Sequence, residues 1–284
     1  MNEQPGPGSG WVPTKHPRLS LIDLRDASQQ ATFALDYPAH LRLRALNNWH
    51  GRMVNEYQSH HVFSQLARRM AEAGFPGKMV RSCQTFADEE RRHGVLCGAV
   101  VQALGGSAWA RVEPPRALPL YDDVSPREAV ARHLLSVCCL SETVAVALVG
   151  AERLQMSKGP LLHLLTEIYA DEVGHARFGW RFMQEHVVSW PASAKARLSS
   201  YLRAAFQHLE TRELQHISPH EQEPEAAGHE LGLCNGAHAR ALFYDAVTQV
   251  IVPGLEAAGL GAARAWEQRA QIRAQALAKG ASRI

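Results

Sequence analysis

Two copies of a Glu-x-x-His motif, each preceded by a solitary glutamate, constrain the fold of this chain more than any other feature. Glu56 precedes the motif at residues 90–93 by 34 residues, and Glu142 precedes the motif at residues 172–175 by 30 residues. A third match, at residues 213–216, has no solitary glutamate at a comparable distance. One match is weak evidence in a chain with 15 histidines, but two matches with nearly the same spacing are not expected by chance.

Turn signals lie midway between each solitary glutamate and its motif. Residues 73–77 read Ala-Gly-Phe-Pro-Gly and residues 157–160 read Ser-Lys-Gly-Pro, which is typical of one helix ending before another begins. Each half of the repeat therefore predicts two antiparallel helices joined by a short turn. An α-helix rises about 1.5 Å per residue. The glutamate and the motif are separated from the turn by similar numbers of residues, so they should lie at the same level along the two helices.

The two hairpins are predicted to form one bundle. The expected helices cover about residues 41–73, 77–104, 125–155 and 160–188. The third helix has a clear start, since Ser125, Pro126 and Glu128 provide an N-cap, a first-turn proline and a capping-box glutamate. Residues 105–120 contain three prolines, cannot be helical throughout, and are long enough for a crossover. The predicted fold class is therefore all-α, a ferritin-like four-helix bundle with one long crossover.

The rest of the chain is predicted to flank this bundle. We divide the sequence into an N-terminal tail and loop, the bundle, and additional helices packing on it, at residues 1–40, 41–190 and 191–284. Residues 1–10 are rich in glycine and proline and are expected to be disordered, with one short helix near residues 21–30. No segment shows the alternation of a strand. The additional helices are expected at about residues 192–216, 237–255 (bent near Pro253) and 261–279.

Composition excludes several classes of protein. A formal net charge of +2 gives no reason to expect a nucleic-acid partner. The sequence has no run of 18 apolar residues that is free of charge, so no membrane span is predicted. The N-terminus does not resemble a secretory signal. Five cysteines without a C-x-x-C pair argue against a disulfide framework or a zinc knuckle. Reduced thiols in the cytoplasm are the simplest interpretation.

The repeated side chains form a chemically coherent set of metal ligands. The glutamate and histidine of each Glu-x-x-His motif lie on one helix face, because residues i and i+3 are neighbours there. Four glutamates balance the charge of two divalent cations, so a buried cluster needs no net charge. Carboxylate and imidazole ligands with open positions suit iron or manganese. The predicted catalytic and metal-binding residues are Glu56, Glu90, His93, Glu142, Glu172 and His175.

Glu142 is the most informative of these residues. It is the only charged side chain between Val137 and Gly150, so it is predicted to be buried. A buried carboxylate is costly unless it is paired or binds a metal, and pairing with a distant arginine is the alternative. Glu90 and Glu172 have charged neighbours, so for each alone a solvated helix face is the alternative. Only the joint pattern favours ligation by these two glutamates.

Residues next to the ligands are predicted to support them. Glu89 and Asp171 each precede a ligand glutamate and are expected to accept a hydrogen bond from a ligand histidine. Arg92 is expected to pair with one of these two carboxylates. His60 is either a pocket residue or an ordinary residue of the core or rim. The residues expected to shape the substrate space are Cys138, Cys139, Cys83, Phe86, Ile168 and His60.

At its six ligand positions the chain resembles the ferritin-like di-iron carboxylate superfamily, over about residues 41–190. This group includes ribonucleotide reductase small subunits, multicomponent monooxygenases, aldehyde-deformylating oxygenases, rubrerythrins and arylamine N-oxygenases. The resemblance implies that the six residues ligate two irons and that the reduced pair activates O2 or peroxide. The sequence also differs from two of these groups at positions near the ligands. Ile168 replaces the extra histidine of the N-oxygenases, and Val146 replaces the pocket threonine of the monooxygenases.

The sequence therefore predicts a non-haem di-iron oxidoreductase that activates O2 or peroxide to oxidise a small organic substrate. Manganese or a mixed manganese–iron pair is the alternative cofactor to two iron ions. Electrons are expected from an external donor, since no flavin or nicotinamide fingerprint is present. Alternative functions are a ferroxidase or rubrerythrin-like peroxidase, and a metal-stabilised binding module. The last predicted helix either covers the bundle or pairs with a second subunit, which leaves a homodimer open.

Overall fold

The fold is a four-helix bundle with further helices packed against one of its sides. The structure is a computed structural model that describes residues 19–157 and 159–270. The expectations for residues 1–10 and for residues 271–279 lie outside these described residues. The bundle helices are α1 (Arg42–Glu72), α2 (Gly77–Ala103), α3 (Pro126–Leu154) and α4 (Pro160–Glu185). The predicted all-α, ferritin-like bundle is confirmed, and the helix ends lie within a few residues of those expected.

The turn between α1 and α2 follows from its glycine. Gly74 has φ of +70°, a left-handed conformation that glycine adopts without the steric penalty of a side chain. The backbone N–H of Gly74 donates to the carbonyl of Ala71 and that of Phe75 to the carbonyl of Met70, which satisfies the end of α1. Pro76 is the N-cap residue of α2. The hairpin therefore closes where the sequence predicts it.

Helix α3 is regular at both ends and wider in the middle. Its N-terminus has the predicted capping box, in which the N–H of Glu128 donates to Ser125 Oγ over 3.3 Å. Residues Leu135–Ser141 form a π-helical segment that ends directly before Glu142. Such an insertion changes which side chains face the bundle interior, and it is common at functional sites. By composition α3 is long and apolar enough to cross a membrane, but half of its most apolar window is buried inside the structure.

The expectation that the chain has no strand is wrong. Ser20–Asp23 pairs antiparallel with Trp109–Val112, with Ser20 opposite Val112 and Asp23 opposite Trp109. The short helix expected near residues 21–30 is reduced to a single turn, Arg25–Ser28. Each strand has four residues, which is too short for alternation to stand out from the neighbouring loop. This small sheet ties the N-terminal segment to the crossover between α2 and α3.

The C-terminal helices complete one of two apolar cores. They are α5 (Ala192–His216) and α6, whose pieces Gly236–Asp245, Ala246–Ile251 and Val252–Ala257 include a central π-helical segment. Residues 262–270 are also helical. Phe206 and Phe243 are fully buried in the first core, together with Leu134 and Leu135 of α3. The π-helical segment lies just before Pro253, where the sequence predicts a bend.

The second core occupies the opposite end of the bundle. It includes Trp49 and Met53 of α1 together with Leu165 and Ile168 of α4. On α1, α2 and α4 the predicted ligand positions fall between the residues of the two cores, and on α3 Glu142 lies between Leu140 and Val144 of the first core. A polar layer is thus enclosed by apolar packing on both sides.

Candidate metal centre

The structure brings the six predicted ligand side chains together inside the bundle. They form two overlapping groups, in each of which the candidate ligand atoms all lie within 4.8 Å of one another. One group has Glu56 and His93 as its own members, and the other has Glu142 and His175. Glu90 and Glu172 belong to both groups. We call these six residues the metal layer, which takes ligand atoms from all four bundle helices.

Two glycines allow the helices to approach closely at this height. A side chain at Gly94, next to His93, would come within 3.1 Å of Tyr57 on α1. A side chain at Gly179, one turn after His175, would come within 2.5 Å of Cys138 in the π-helical segment. Contacts this short would push the helices apart. The two glycines therefore help to set the separation of the ligand atoms across the bundle.

The metal layer is almost completely removed from solvent. His93 and His175 are fully buried, Glu142 is 7% exposed, and the side chain of Glu56 is the most accessible at 12%. Burial, together with the charge of Glu172, raises the pKa of Glu90 and of Glu142 above the ordinary range. Burial would also raise the pKa of Glu172, but hydrogen bonding and charge from His175 lower it.

The histidine pKa values respond to the same crowding of carboxylates. Burial alone would lower the pKa of His93, but the hydrogen bond with Asp171 and the carboxylate of Glu56 raise it to about 10. Burial would likewise lower the pKa of His175, whereas its contacts with Glu172, Glu89 and Glu90 raise it strongly. Without metal, protons on the histidines offset part of the negative charge. These shifts show that the carboxylates and imidazoles of the layer interact strongly, and cations could replace the protons that offset their charge.

Both histidines present the same nitrogen to the layer. His93 Nε2 lies 3.0 Å from Asp171 Oδ2, and His175 Nε2 lies 2.9 Å from Glu89 Oε2. Each contact crosses between α2 and α4, so the carboxylate before one motif supports the histidine of the other. When a metal displaces the proton from Nδ1, the remaining proton on Nε2 would fix the tautomer in which Nδ1 is directed at the carboxylates as a ligand.

One Nδ1 atom tests directly whether the layer suits a metal. His93 Nδ1 is buried and has no hydrogen-bond partner, with Glu56 Oε2 at 3.5 Å and Glu172 Oε1 at 3.8 Å. An unpaired buried nitrogen costs free energy whether or not it carries a proton, and the carboxylates at these distances do not hydrogen-bond to it. A cation between these atoms would satisfy the imidazole and both carboxylates. The donor set therefore fits a metal ion.

Arg92 lies at the surface side of this arrangement. Its Nη2 is 2.7 Å from Asp171 Oδ2, and its Nη1 pairs with Glu167. Of its two predicted partners, Asp171 and Glu89, the structure places it beside the first. Glu167 was not predicted from the sequence, although it lies one turn before Asp171 on α4. The His93 side of the layer thus continues into an ion-pair network, whereas Glu89 has no arginine within ion-pair distance in the described part of the chain.

The residues expected to shape a pocket lie in different places. The ring of Phe86 is 4.5 Å from that of His175, between ring centroids. Cys138 and Cys139 are fully buried in the π-helical segment, and Ile168 is buried in the second core. His60 Nδ1 lies 2.8 Å from the carbonyl of Ala87, and His60 belongs to neither ligand group.

Three features of the site were missed from the sequence. The ring of Phe63 lies 5.1 Å from that of His175, and its position two turns after Glu56 on α1 could have indicated this. Trp180 Nε1 donates to Thr143 Oγ1 over 3.0 Å, which links α4 to α3 beside Glu142. A buried ion pair joins Arg52 to Glu152, and Arg52 lies one turn before Glu56.

Comparisons with known proteins support the fold assignment. No family model matches the sequence, and no curated protein is significantly similar to it. A solved structure described as Protein 19 with aldehyde deformylating oxidase activity, from Synechococcus, is similar with a TM-score of 0.54 and 21% sequence identity. The similarity covers 84% of this chain and 100% of that chain. At this identity the likeness establishes a shared fold.

Proposed function

We propose that the protein is a non-haem di-iron oxidoreductase that uses O2 or peroxide to oxidise a small organic substrate. The observation that carries the proposal is the pair of overlapping ligand groups that share Glu90 and Glu172. Two shared carboxylates with one further glutamate and one histidine on each side are the ligand arrangement of a bridged metal pair. The fold similarity to a protein with aldehyde deformylating oxidase activity agrees with this proposal.

The metal layer would hold two ions. Glu56 and His93 Nδ1 would bind one ion, Glu142 and His175 Nδ1 the other, and the two shared glutamates both. Four carboxylates balance two divalent cations, which makes the occupied layer electrically neutral. Iron is the proposed metal, with manganese or a mixed pair as alternatives. When bound, the metal pair supplies the redox chemistry that the side chains lack.

The residues around the metal layer orient the ligand histidines and exclude water. Asp171 and Glu89 hold the protons on the outer nitrogens of the histidines and fix the planes of the rings. Phe63 and Phe86 pack against His175 and keep that side of the layer apolar. A substrate bound beside these rings would be apolar near the reacting atoms. Electrons would come from an external donor.

Anaerobic loading of the apoprotein with Fe(II), followed by O2, tests the proposal. We expect two Fe(II) ions per chain, rapid O2 consumption, and an oxidised product, identified by mass spectrometry, from a panel of aldehydes, arylamines and hydrocarbons. Repeated Fe(II) oxidation without an organic product would instead indicate a ferroxidase. Metal binding without any reaction with O2 would indicate a metal-stabilised binding module. The Glu172→Ala variant is the matched negative control.

A further inference from the structure

A buried ion pair lies one helical turn from the metal layer. Arg52 Nη2 is 2.6 Å from Glu152 Oε2, and the two side chains are 16% and 8% exposed. Arg52 is on α1 and Glu152 is near the end of α3, so the contact joins two bundle helices. Neither residue belongs to the metal layer. Burial of such a pair in an apolar core is costly, so a stabilising role alone is a weak explanation.

The position of Arg52 makes it a competitor for a metal ligand. Arg52 and Glu56 are four residues apart on α1, the spacing at which arginine and glutamate pair along one helix face. In the described part of the chain Glu152 is the only carboxylate within ion-pair distance of Arg52, and Arg52 Nε has no partner. The charge of Glu56 already acts on Arg52 together with that of Glu152, so without Glu152 the guanidinium would be free to pair with Glu56.

The C-terminal segment fixes Glu152 and Arg52 in their present places. Gly232 lies directly against Glu152, since a side chain there would come within 2.5 Å of Glu152 Oε1. The guanidinium of Arg52 lies over the ring of Trp49, 5.4 Å from its centroid. Trp49 Nε1 in turn donates to the carbonyl of Leu231 over 2.8 Å. The loop before α6 therefore covers the ion pair and limits where both side chains can move.

We propose that Glu152 is a positioning residue for the metal centre, because it holds Arg52 away from Glu56 and leaves the Glu56 carboxylate free to bind metal. The inference rests on the proposed function, in which Glu56 is a ligand of one ion. It predicts that the half of the layer containing Glu56 and His93 depends on Glu152. The half containing Glu142 and His175 does not.

Metal titration of four apoproteins tests this inference without measuring activity. Calorimetric titration with Co(II), a spectroscopic substitute for Fe(II), is carried out on wild type, Glu152→Gln, Arg52→Gln and the double variant. Wild type is expected to bind two ions. In Glu152→Gln one of the two sites should weaken by roughly 10- to 100-fold, the range typical of residues that support metal ligands. Arg52→Gln and the double variant should bind both ions like wild type, because the competing guanidinium is gone.

Thermal unfolding of the same proteins separates positioning from simple stability. Both single variants break a buried pair and should lower the Tm, but only Glu152→Gln should weaken metal binding. Glu210→Gln is the matched control, since it breaks the remote ion pair with Arg269 and should leave both metal sites unchanged. Equal weakening in both single variants, or no weakening in Glu152→Gln, would overturn the inference. A wild type that binds fewer than two ions would overturn the proposed function instead.

Discussion

Two regions of helix α3 bury ionisable side chains and compensate for their charge in different ways. Near its start, Arg132 donates from both terminal nitrogens to Asp123 over 3.0 and 2.9 Å, and its guanidinium lies over the rings of Tyr121 and Tyr201. His133 Nε2 lies 3.0 Å from the carbonyl of Pro119. We call Arg132, His133, Tyr121 and Tyr201 the Arg132 cluster.

The metal layer, farther along the same helix, lacks this internal balance. Glu142 is surrounded by Glu90 and Glu172, whose charges raise its pKa in addition to burial. His93 Nδ1 has no partner. In the Arg132 cluster the buried polar groups are satisfied within the chain, whereas in the metal layer like charges and an unpaired imidazole nitrogen favour a bound cation. Substitutions in the metal layer should therefore weaken metal binding more than stability. Substitutions in the Arg132 cluster should lower stability and leave metal binding unchanged.

The largest effect is expected from removing a shared carboxylate. Glu172→Ala should reduce bound Co(II) from two ions to less than one per chain, because Glu172 belongs to both ligand groups. The loss of affinity should exceed the roughly 100-fold seen when only a supporting residue is removed. Circular dichroism should show a folded apoprotein. Glu213→Ala, in the third Glu-x-x-His motif, is the control, and a similar loss there would contradict the assignment.

The next largest effect is a pH dependence of stability that comes from His133 in the Arg132 cluster. Burial lowers the pKa of His133 to about 4, although the contact with Pro119 opposes the shift. The unfolded chain takes up a proton near pH 6.5 and the folded chain does not, so stability from His133 is present above that pH and is lost as the pH falls to about 4. Within this range, each unit of falling pH lowers the free energy of unfolding by up to about 1.4 kcal/mol. The whole change is about 3 kcal/mol.

The variant His133→Gln isolates this contribution, because glutamine can donate to the carbonyl of Pro119 but does not titrate. Urea unfolding at pH 7 and pH 4 should show that wild type loses more stability than the variant by on the order of 2 to 3 kcal/mol. Both proteins should bind two Co(II) ions at neutral pH. Identical pH dependence in the two proteins would show that His133 is not held neutral in the fold.

Smaller changes are expected at the carboxylates behind the histidines. Asp171→Asn and Glu89→Gln should each weaken metal binding by about 10- to 100-fold, because each loosens the orientation of one imidazole. Asp171 supports His93 and Glu89 supports His175, so each variant should affect a different ion. Site-resolved NMR of the Co(II) protein would follow the two histidines separately. Equal perturbation of both histidines by one variant would contradict separate support.

The smallest effect is expected at Tyr201. Its hydroxyl accepts from Tyr121 over 3.0 Å and lies 2.6 Å from Ser136 Oγ. Tyr201→Phe should lower the free energy of unfolding by about 1 kcal/mol, the usual worth of such a hydrogen bond, without changing metal stoichiometry. Chemical denaturation and Co(II) titration check the two parts. Loss of a metal ion in this variant would erase the distinction between the two regions.

The sequence predicted the parts of the molecule that depend on periodic patterns. Helix ends followed from Gly74 and from the capping box at Ser125, since these signals are local. The grouping of the six ligands followed from their doubled spacing. The π-helical segment Leu135–Ser141 could not be predicted, because its apolar sequence is equally compatible with an α-helix.

Long-range pairings were the other part that local patterns could not reveal. The two short strands pair across the chain, and neither carries enough residues to define a period. The Arg52–Glu152 pair joins residues one hundred positions apart and depends on how α1 and α3 face each other. Which histidine Glu89 or Asp171 supports also depends on helix rotation. Sequence spacing suggested both carboxylates as supports without deciding the crossed arrangement.

A crystal structure of the Fe(II)-loaded protein, with anomalous data at the iron edge, tests the central claim most directly. We predict two anomalous peaks about 3.5 to 4 Å apart, the separation typical of paired metal ions, between the carboxylates of Glu90 and Glu172. His93 Nδ1 should bind one ion and His175 Nδ1 the other. A single peak, or peaks outside this layer, would contradict the proposal of a dinuclear centre.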